Sequence, residues 1–218
     1  MKKAFVLFVL FALPIVAYLF FASGINTFAK LPVVTPKIKE LSGWKSFNGE
    51  QPKLAGKITI LGFPGSDILY NKGNAFNLDQ KIYNKNREFQ DFQVIMVAPE
   101  GTQQQAKTLM AELGTISDLS RWHFVFAPEN EIQEYYKSLN LVGGLDAKNG
   151  TPNVFIIDKE RNLRGRKGKN KKGEEEYKEG YNTISAADLH NEMSDDVKVI
   201  LAEYRLALKK YNKNKRKI

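Results

Sequence analysis

Few side chains in this chain could carry chemistry. Its 218 residues include no cysteine, two histidines (His123 and His190) and four methionines. Without sulfhydryls there are no disulfides, thiolate metal sites, cysteine nucleophiles, thiol–disulfide exchange or lipid attachment through an N-terminal cysteine. The compartment is not fixed by this, since exported proteins also do without cysteine. Zinc needs Cys, His or carboxylates that converge, and copper(I) needs soft sulfur ligands. The histidines lie far apart in sequence and the methionines are scattered. Ser66 sits where an apolar run breaks into a turn, in "GKITILGFPGSDILYN" (56–71). As a nucleophile it would need a base and an oxyanion hole. His123, beside Trp122 in an alternating stretch, reads as a hydrogen-bonded structural histidine, and His190 as a solvated residue on a polar helix face. Glu174, Glu175 and Glu176 lie in a lysine-rich stretch and read as solvated surface. No catalytic residue, cofactor ligand or metal ligand is therefore assigned, and the expectation is a protein that is not an enzyme.

The elements around these residues follow from periodicity. β-Branched apolar runs predict strands at 57–63, 92–100, 121–129 and 153–158, with a paired strand from Leu163. Asn48-Gly49 predicts a turn between short strands, and "YNTIS" (181–185) a strand completing the late hairpin. Helical spacing predicts helices over 76–89, 102–114 and 130–141, and a last helix over 194–208 with Ser194 as N-cap and Asp195 and Asp196 complementing its dipole. Strands alternating with helices and closed by a hairpin predict an α/β protein, a three-layer α/β/α sandwich around a mixed sheet.

The N-terminus adds a separate element. Ala4 to Ala22 is uncharged and predicts a transmembrane anchor of nearly bilayer length. A cleaved signal peptide is the competing reading, but the run is longer than a usual signal core and Ala22-Ser23-Gly24 is a poor cleavage site. Lys2 and Lys3 place residues 1–3 in the cytoplasm, so the remainder is expected outside it, on a single-pass inner (cell) membrane protein facing the periplasm. Residues 23–40 read as a linker, 41–208 as the folded domain and 209–218 as a basic tail. The formal net charge is +9. Much of it lies in "RNLRGRKGKNKK" (161–172) and the tail, read as solvated, partly disordered surface with anionic lipid contact as the functional alternative. No recognition motif accompanies the lysines, so nucleic acid is not expected as a partner.

Several segments together resemble the Sco/SenC family of thioredoxin-fold, copper-handling cytochrome oxidase assembly factors: the anchor, "LAGKITILGF", "VAPEGTQQQAKTLMAEL", "SRWHFVFAPENEIQEYYKSL" and "FIIDKERNLRGR". Gly150-Thr151-Pro152 resembles the superfamily's proline, which is usually cis. The resemblance implies a copper site built from a C-x-x-x-C pair and a distant histidine. Here those positions fall at Ser66 and Tyr70, or at Gly65 and Leu69, with Thr151 or Gly150 for the histidine. The resemblance thus implies the fold without its chemistry, and a setting near respiratory-complex or copper-site assembly. The expected function is protein binding by an edge made of Phe63, Pro64, Gly65, Ser66, Asp67, Thr151 and Pro152, with open backbone groups for an added peptide strand. The alternative is a thiol-independent enzyme or a small-molecule or metal carrier using the same cleft.

Overall fold

The computed structural model describes residues 2–23, 30–41, 43–169 and 172–215; the side chains it describes in the first helix are those of 3, 5–16 and 18, and in the last helix they end at Arg205. The first helix, α1 (Lys2–Ser23), is 22 residues long and contains Pro14. Its consecutive residues Phe5, Val6, Leu7 and Phe8 are all strongly exposed. Among the described residues no helix is long and apolar enough to cross a membrane, and the side chains described in α1 stop at Tyr18. Most of the linker expected at 23–40 is described only from Lys30, with residues 24–29 outside the described set.

From Lys30 onward the chain builds a mixed sheet. Its strands are β1 (Val33–Thr35), β2 (Ile58–Pro64), β3 (Phe92–Pro99), β4 (Trp122–Ala127), β5 (Gly150–Ile157), β6 (Leu163–Arg164) and β9 (Tyr181–Asn182). A separate two-stranded ribbon pairs β7 (Arg166–Lys169) with β8 (Glu175–Lys178). The order across the sheet is β1-β6-β5-β2-β3-β4, with β9 on β5. β2, β3 and β4 are parallel, whereas β5 runs antiparallel to β2 and β6 antiparallel to β5. The expected three-layer, thioredoxin-like α/β architecture is therefore present.

The layers follow from strand alternation. Ile58 and Ile60 of β2 face one side, where they meet Val94, Phe124 and Ile156 beneath Leu78, Ile82, Leu109, Val197 and Ile200. Leu61 and Phe63 face the other side, with Ile95, Val125 and Phe155 beneath Ile132, Tyr136 and Leu139. The first cover comprises α2 (Lys72–Leu78), a π turn (Asp79–Tyr83), α3 (Asn84–Asn86), α4 (Gln103–Gly114) and the last helix; α5 (Glu129–Ser138) lies on the second side. β3 is buried along its whole length, as a central strand covered on both faces must be.

Four departures from the sequence reading have local causes. The helix expected over 76–89 starts at Lys72 and contains the π turn. The wider turn keeps Leu78, Ile82 and Tyr83 all buried, which regular α spacing would strain. The last helix begins earlier than Ser194. Ser185 is the cap, accepting the Asp188 N–H, and α6 (Ala186–Asp188) continues through a second π turn (Leu189–Met193) into α7 (Ser194–Lys215). Ser194 is thus helical rather than capping, and Asp196 is half-committed to Arg166 and Tyr181 instead of only to a dipole. Asn48-Gly49 does turn, with Gly49 at φ +80°, but its flanks contribute only an isolated bridge, Lys45 to Phe126. Finally, β9 pairs with β5, Val154 opposite Tyr181, and within the lysine-rich stretch Arg166–Lys169 pairs with Glu175–Lys178, Lys169 facing Glu175. The basic tail at 209–218 is helical in backbone to Lys215, and its side chains lie outside the described residues.

One arginine ties three distant pieces together. Arg164 donates to Asp158 at 2.8 Å, to both oxygens of Glu203 at 3.0 Å and, through Nε, to the Leu31 carbonyl at 2.7 Å. Glu203 in turn accepts the Leu31 N–H at 3.1 Å. Asp158 is almost fully buried, and its carboxylate also organises the turn by accepting the Glu160 and Asn162 N–H groups. Arg164→Ala would leave two carboxylates without their buried counter-charge, so we expect urea unfolding of the full chain to register a loss of about 3–5 kcal/mol. Arg164→Lys, which cannot reproduce the forked contacts, should recover only part of it. Near-neutral effects of both would show that the cluster contributes nothing to folding.

Candidate functional site at the β2–α2 turn

The residues singled out in sequence are carried by two segments that meet where β2 ends and β5 begins. Pro64 pairs with Gly150, and a register shift between Gly62 and Pro64 bulges β5 at Thr151–Asn153. The contact is backbone on backbone. A Cβ on Gly65, which has φ +69°, would lie 2.7 Å from the Lys148 carbonyl oxygen and 2.8 Å from Gly150 Cα. Glycine is needed there twice over, for the left-handed φ and for the close approach. Phe63 points away from this surface into the aromatic core, 5.2 Å from Tyr136 and 6.3 Å from Phe155 between ring centroids. It supports the edge from behind while also bordering the cleft beside this turn.

The loop before β5 shapes the other wall. Asp146 accepts the N–H groups of Lys148 and Gly150, each at 2.8 Å, and its own N–H reaches the Gly150 carbonyl at 2.8 Å. Asn149, nearly fully buried at φ 58°, accepts from Gln133 of α5. So held, the Lys148 carbonyl accepts both the Ser66 N–H at 3.0 Å and the Ser66 hydroxyl at 3.1 Å. The Lys148 ammonium pairs with Asp67, which holds the lysine's pKa above its ordinary value. From the other side Gln105 of α4 donates to the Ser66 carbonyl at 3.1 Å. The Ser66 hydroxyl therefore points at a carbonyl, and no histidine lies near it: His123 is in β4, across β3, and His190 is exposed on the second π turn.

A cleft of about 260 Å³ opens beside this turn, with Gly62, Met96 and Val154 in its floor and Asn71, Asn74, Thr151, Thr183 and Ile184 at its rim. Ile184 is 64% exposed and Tyr70, next to the turn, 89% exposed, so apolar surface stands open at this end. Sequence reasoning missed Lys148, Asp146 and Ile184. The Asp67–Lys148 pair joins residues 81 positions apart, and neither partner carries a local signal of the other.

Pro152 departs from the superfamily pattern and from the open edge expected of it. No peptide bond among the described residues is cis, so Pro152 continues the extended run of β5 in trans. Its carbonyl is also not open to an incoming strand: it accepts the Thr183 N–H at 2.9 Å and the Thr183 hydroxyl at 2.6 Å. The segment after β9 already occupies the position an added peptide would take. The copper ligands implied by the family pattern do not fit this site. Ser66, Tyr70 and Thr151 bring hydroxyls where soft sulfur and imidazole are required, Tyr70 is turned to solvent, and the sulfur lining the cleft is the single Met96. Among the described residues no three His, Asp or Glu side chains are grouped to hold a metal.

No family model matches the chain, and no curated protein matches it. Solved structures do. BsSco, a member of the Sco family of cytochrome c oxidase assembly proteins, is 12% identical, with a TM-score of 0.56 over 78% of this chain and 98% of its own. A SCO1/SenC family lipoprotein from Bacillus anthracis is 13% identical, with a TM-score of 0.56 over 78% of this chain and 99% of its own. A proposed protein disulfide isomerase from Bacteroides thetaiotaomicron is 12% identical, with a TM-score of 0.54 over 80% of this chain and 95% of its own. The structural neighbours are thus Sco/SenC proteins and related thioredoxin folds, and at these identities the likeness concerns the fold.

Two outcomes are expected of this region. Gly65→Ala forces a Cβ against the Lys148 loop and should cost about 2 kcal/mol or more, with the Ser66 amide losing hydrogen-exchange protection before the rest of β2; unchanged protection would show that the contact is not close. His123, half-buried in β4, has its pKa pushed below its ordinary value by burial. A base whose folded pKa is depressed takes up its proton more readily when unfolded, so the native state loses ground as pH falls below about 6.5. Denaturation midpoints of the parent chain should therefore drop more between neutral pH and pH 5 than those of His123→Gln.

Proposed function

We propose that this chain is a membrane-anchored, extracytoplasmic thioredoxin-fold module that binds another protein through its β2–α2 end and carries out no thiol chemistry. The observation that carries the reading is that the turn positions Gly65 and Ser66 are taken up by structural contacts. Gly65 is packed on Gly150, and the Ser66 hydroxyl is consumed by the Lys148 carbonyl. What this end offers a partner is a fixed shape: the Asp67–Lys148 pair, Thr151, and the exposed Ile184 and Tyr70 around an apolar floor. Because β9 and Thr183 cover the edge of β5, recognition runs through side chains and not through an added strand.

Anchoring is supported by α1. Its length corresponds to about 33 Å at helical rise. Exposed apolar side chains at successive positions cover all sides of the helix, which suits lipid and not a single protein face. Lys2 and Lys3 at its start favour a cytoplasmic N-terminus and an extracytoplasmic domain, on an inner membrane. BsSco belongs to a family of cytochrome c oxidase assembly proteins; by its fold this chain is proposed to act in a comparable setting, as an assembly partner without its own metal chemistry.

Affinity capture from membranes with the full chain as bait tests the reading. A specific membrane or envelope protein should be retained by the parent, unaffected by chelators, and lost with Thr151→Arg, which alters the rim without touching the Gly65–Gly150 contact. Stoichiometric binding of copper, zinc or haem by the purified chain, or partner capture that survives Thr151→Arg and Ile184→Asp together, would overturn it in favour of a carrier or enzyme.

A further inference from the structure

The β7–β8 ribbon has a direction that its sequence does not reveal. β1 runs antiparallel to β6, with Val33 opposite Arg164, and the Gly165 N–H donates to the Pro32 carbonyl at 3.0 Å. β6 leads directly into β7, so the ribbon continues alongside the incoming chain, back toward Lys30 and the segment that joins the domain to α1. Gly165 makes this passage possible, since a Cβ there would lie 2.2 Å from the Lys178 carbonyl oxygen. α7 takes the opposite course. It contacts Arg166 through Asp196, then Arg164 and Leu31 through Glu203, then Glu160 through Tyr204. Its C-terminal end therefore leads away from the ribbon, toward the end of the sheet where β2 and β3 begin.

The two faces of the ribbon differ. The inner face is neutralised at its base: Arg166 meets Asp196 at 2.8 Å and Glu176 at 3.1 Å, and Lys178 pairs with Asp188 and with Glu192 at 2.6 Å. The outer face carries Lys167 and Lys169, both exposed and neither within 4.0 Å of a carboxylate among the described residues, with the exposed Glu175 on the same face opposite Lys169. Directly across from Lys167 stands Tyr177, 49% exposed, its hydroxyl donating to Glu179 at 2.8 Å so that its ring is held at the surface. Lysines flanking a tyrosine form the combination that settles at a membrane–water interface, ammonium on phosphate and ring at headgroup depth. The tight ionic base makes the ribbon a firm arm of about 13 Å, from four residues at strand rise.

We propose that the outer face of the β7–β8 ribbon, Lys167, Lys169 and Tyr177, rests on the anionic phospholipid headgroups of the membrane that holds α1, and that this contact sets the orientation of the domain. The proposal rests on the anchored reading of α1. It assigns lipid contact to the ribbon and not to the basic tail, of which the described part, 209–215, continues α7 away from the ribbon.

The absence of native cysteine allows clean single-site labelling. Full-length chain carrying a fluorophore at Glu175→Cys on the ribbon, or at Glu88→Cys at the far end of the sheet, would be reconstituted into phosphatidylcholine vesicles with and without phosphatidylglycerol. Quenching by headgroup-labelled lipid is then read. The ribbon label should be quenched in anionic vesicles and the Glu88→Cys label should not. The ribbon quenching should weaken at high salt and fall by about five-fold in effective contact for each of Lys167→Gln and Lys169→Gln. Equal quenching at the two sites, or ribbon quenching indifferent to lipid charge and to both substitutions, overturns the ribbon contact alone. Failure of the chain to float with vesicles of either composition after a high-salt wash overturns the anchor and the ribbon contact with it.

Discussion

The domain is organised around the charge of one buried arginine. Arg164 reaches the turn between β5 and β6 through Asp158, the last helix through Glu203 and the start of the domain through the Leu31 carbonyl. Each partner lies in a separate stretch of sequence. A guanidinium this buried is tolerable only with its donors satisfied by fixed acceptors, so the three pieces must arrive together or the charge is stranded. The same cluster decides where the chain from α1 joins the sheet and in which direction α7 leaves it. The directions of the ribbon and of α7 are consequences of that one junction.

At the other end of the sheet the constraint is steric and neutral. Gly65 and Gly150 bring two backbones into contact, and the loop from Asp146 to Gly150 closes over the β2–α2 turn with its hydrogen bonds already made. In a thioredoxin-like fold this turn presents whatever reactive group the protein has. Here it presents a hydroxyl bound to a carbonyl and an ion pair at the surface. Those groups fix the shape and charge of the surface at this end of the sheet.

The cover over β5 has a further effect on recognition. Extended peptides bind sheets by completing a missing row of hydrogen bonds, and a row that is already filled gives an arriving strand little to gain. Thr183 fills it with two bonds to Pro152, while Tyr181 buries its ring behind and donates to Asp196 at 2.5 Å. The hydroxyl of Tyr181 is thereby drawn into the ionic base of the ribbon, so the covering strand and the ribbon are held by the same carboxylate. On the proposed reading, contact with a partner is left to the exposed side chains at the cleft rim.

Much of the architecture was legible in the chain itself. The alternation of "KITILGF", the run "FQVIMVAPE" and the apolar spacing of Ile132, Tyr135, Tyr136 and Leu139 placed strands and helices within a few residues, because burial imposes a period that is written locally. The lack of cysteine settled the excluded chemistry without any structure. The pairings were not legible: Lys148 with Asp67, Thr183 with Pro152, Asp196 with Arg166 and Tyr181, and Arg164 with Leu31 and Glu203. The lysine-rich stretch at 161–172 looked like solvated chain, yet its base is ordered by carboxylates supplied from helices downstream. Composition and period are properties of neighbouring residues and can be read in one dimension. The partner of a charge, the φ that demands glycine and the edge that a strand will cover depend on segments that meet only after the sheet has formed, and those the tertiary structure alone decided.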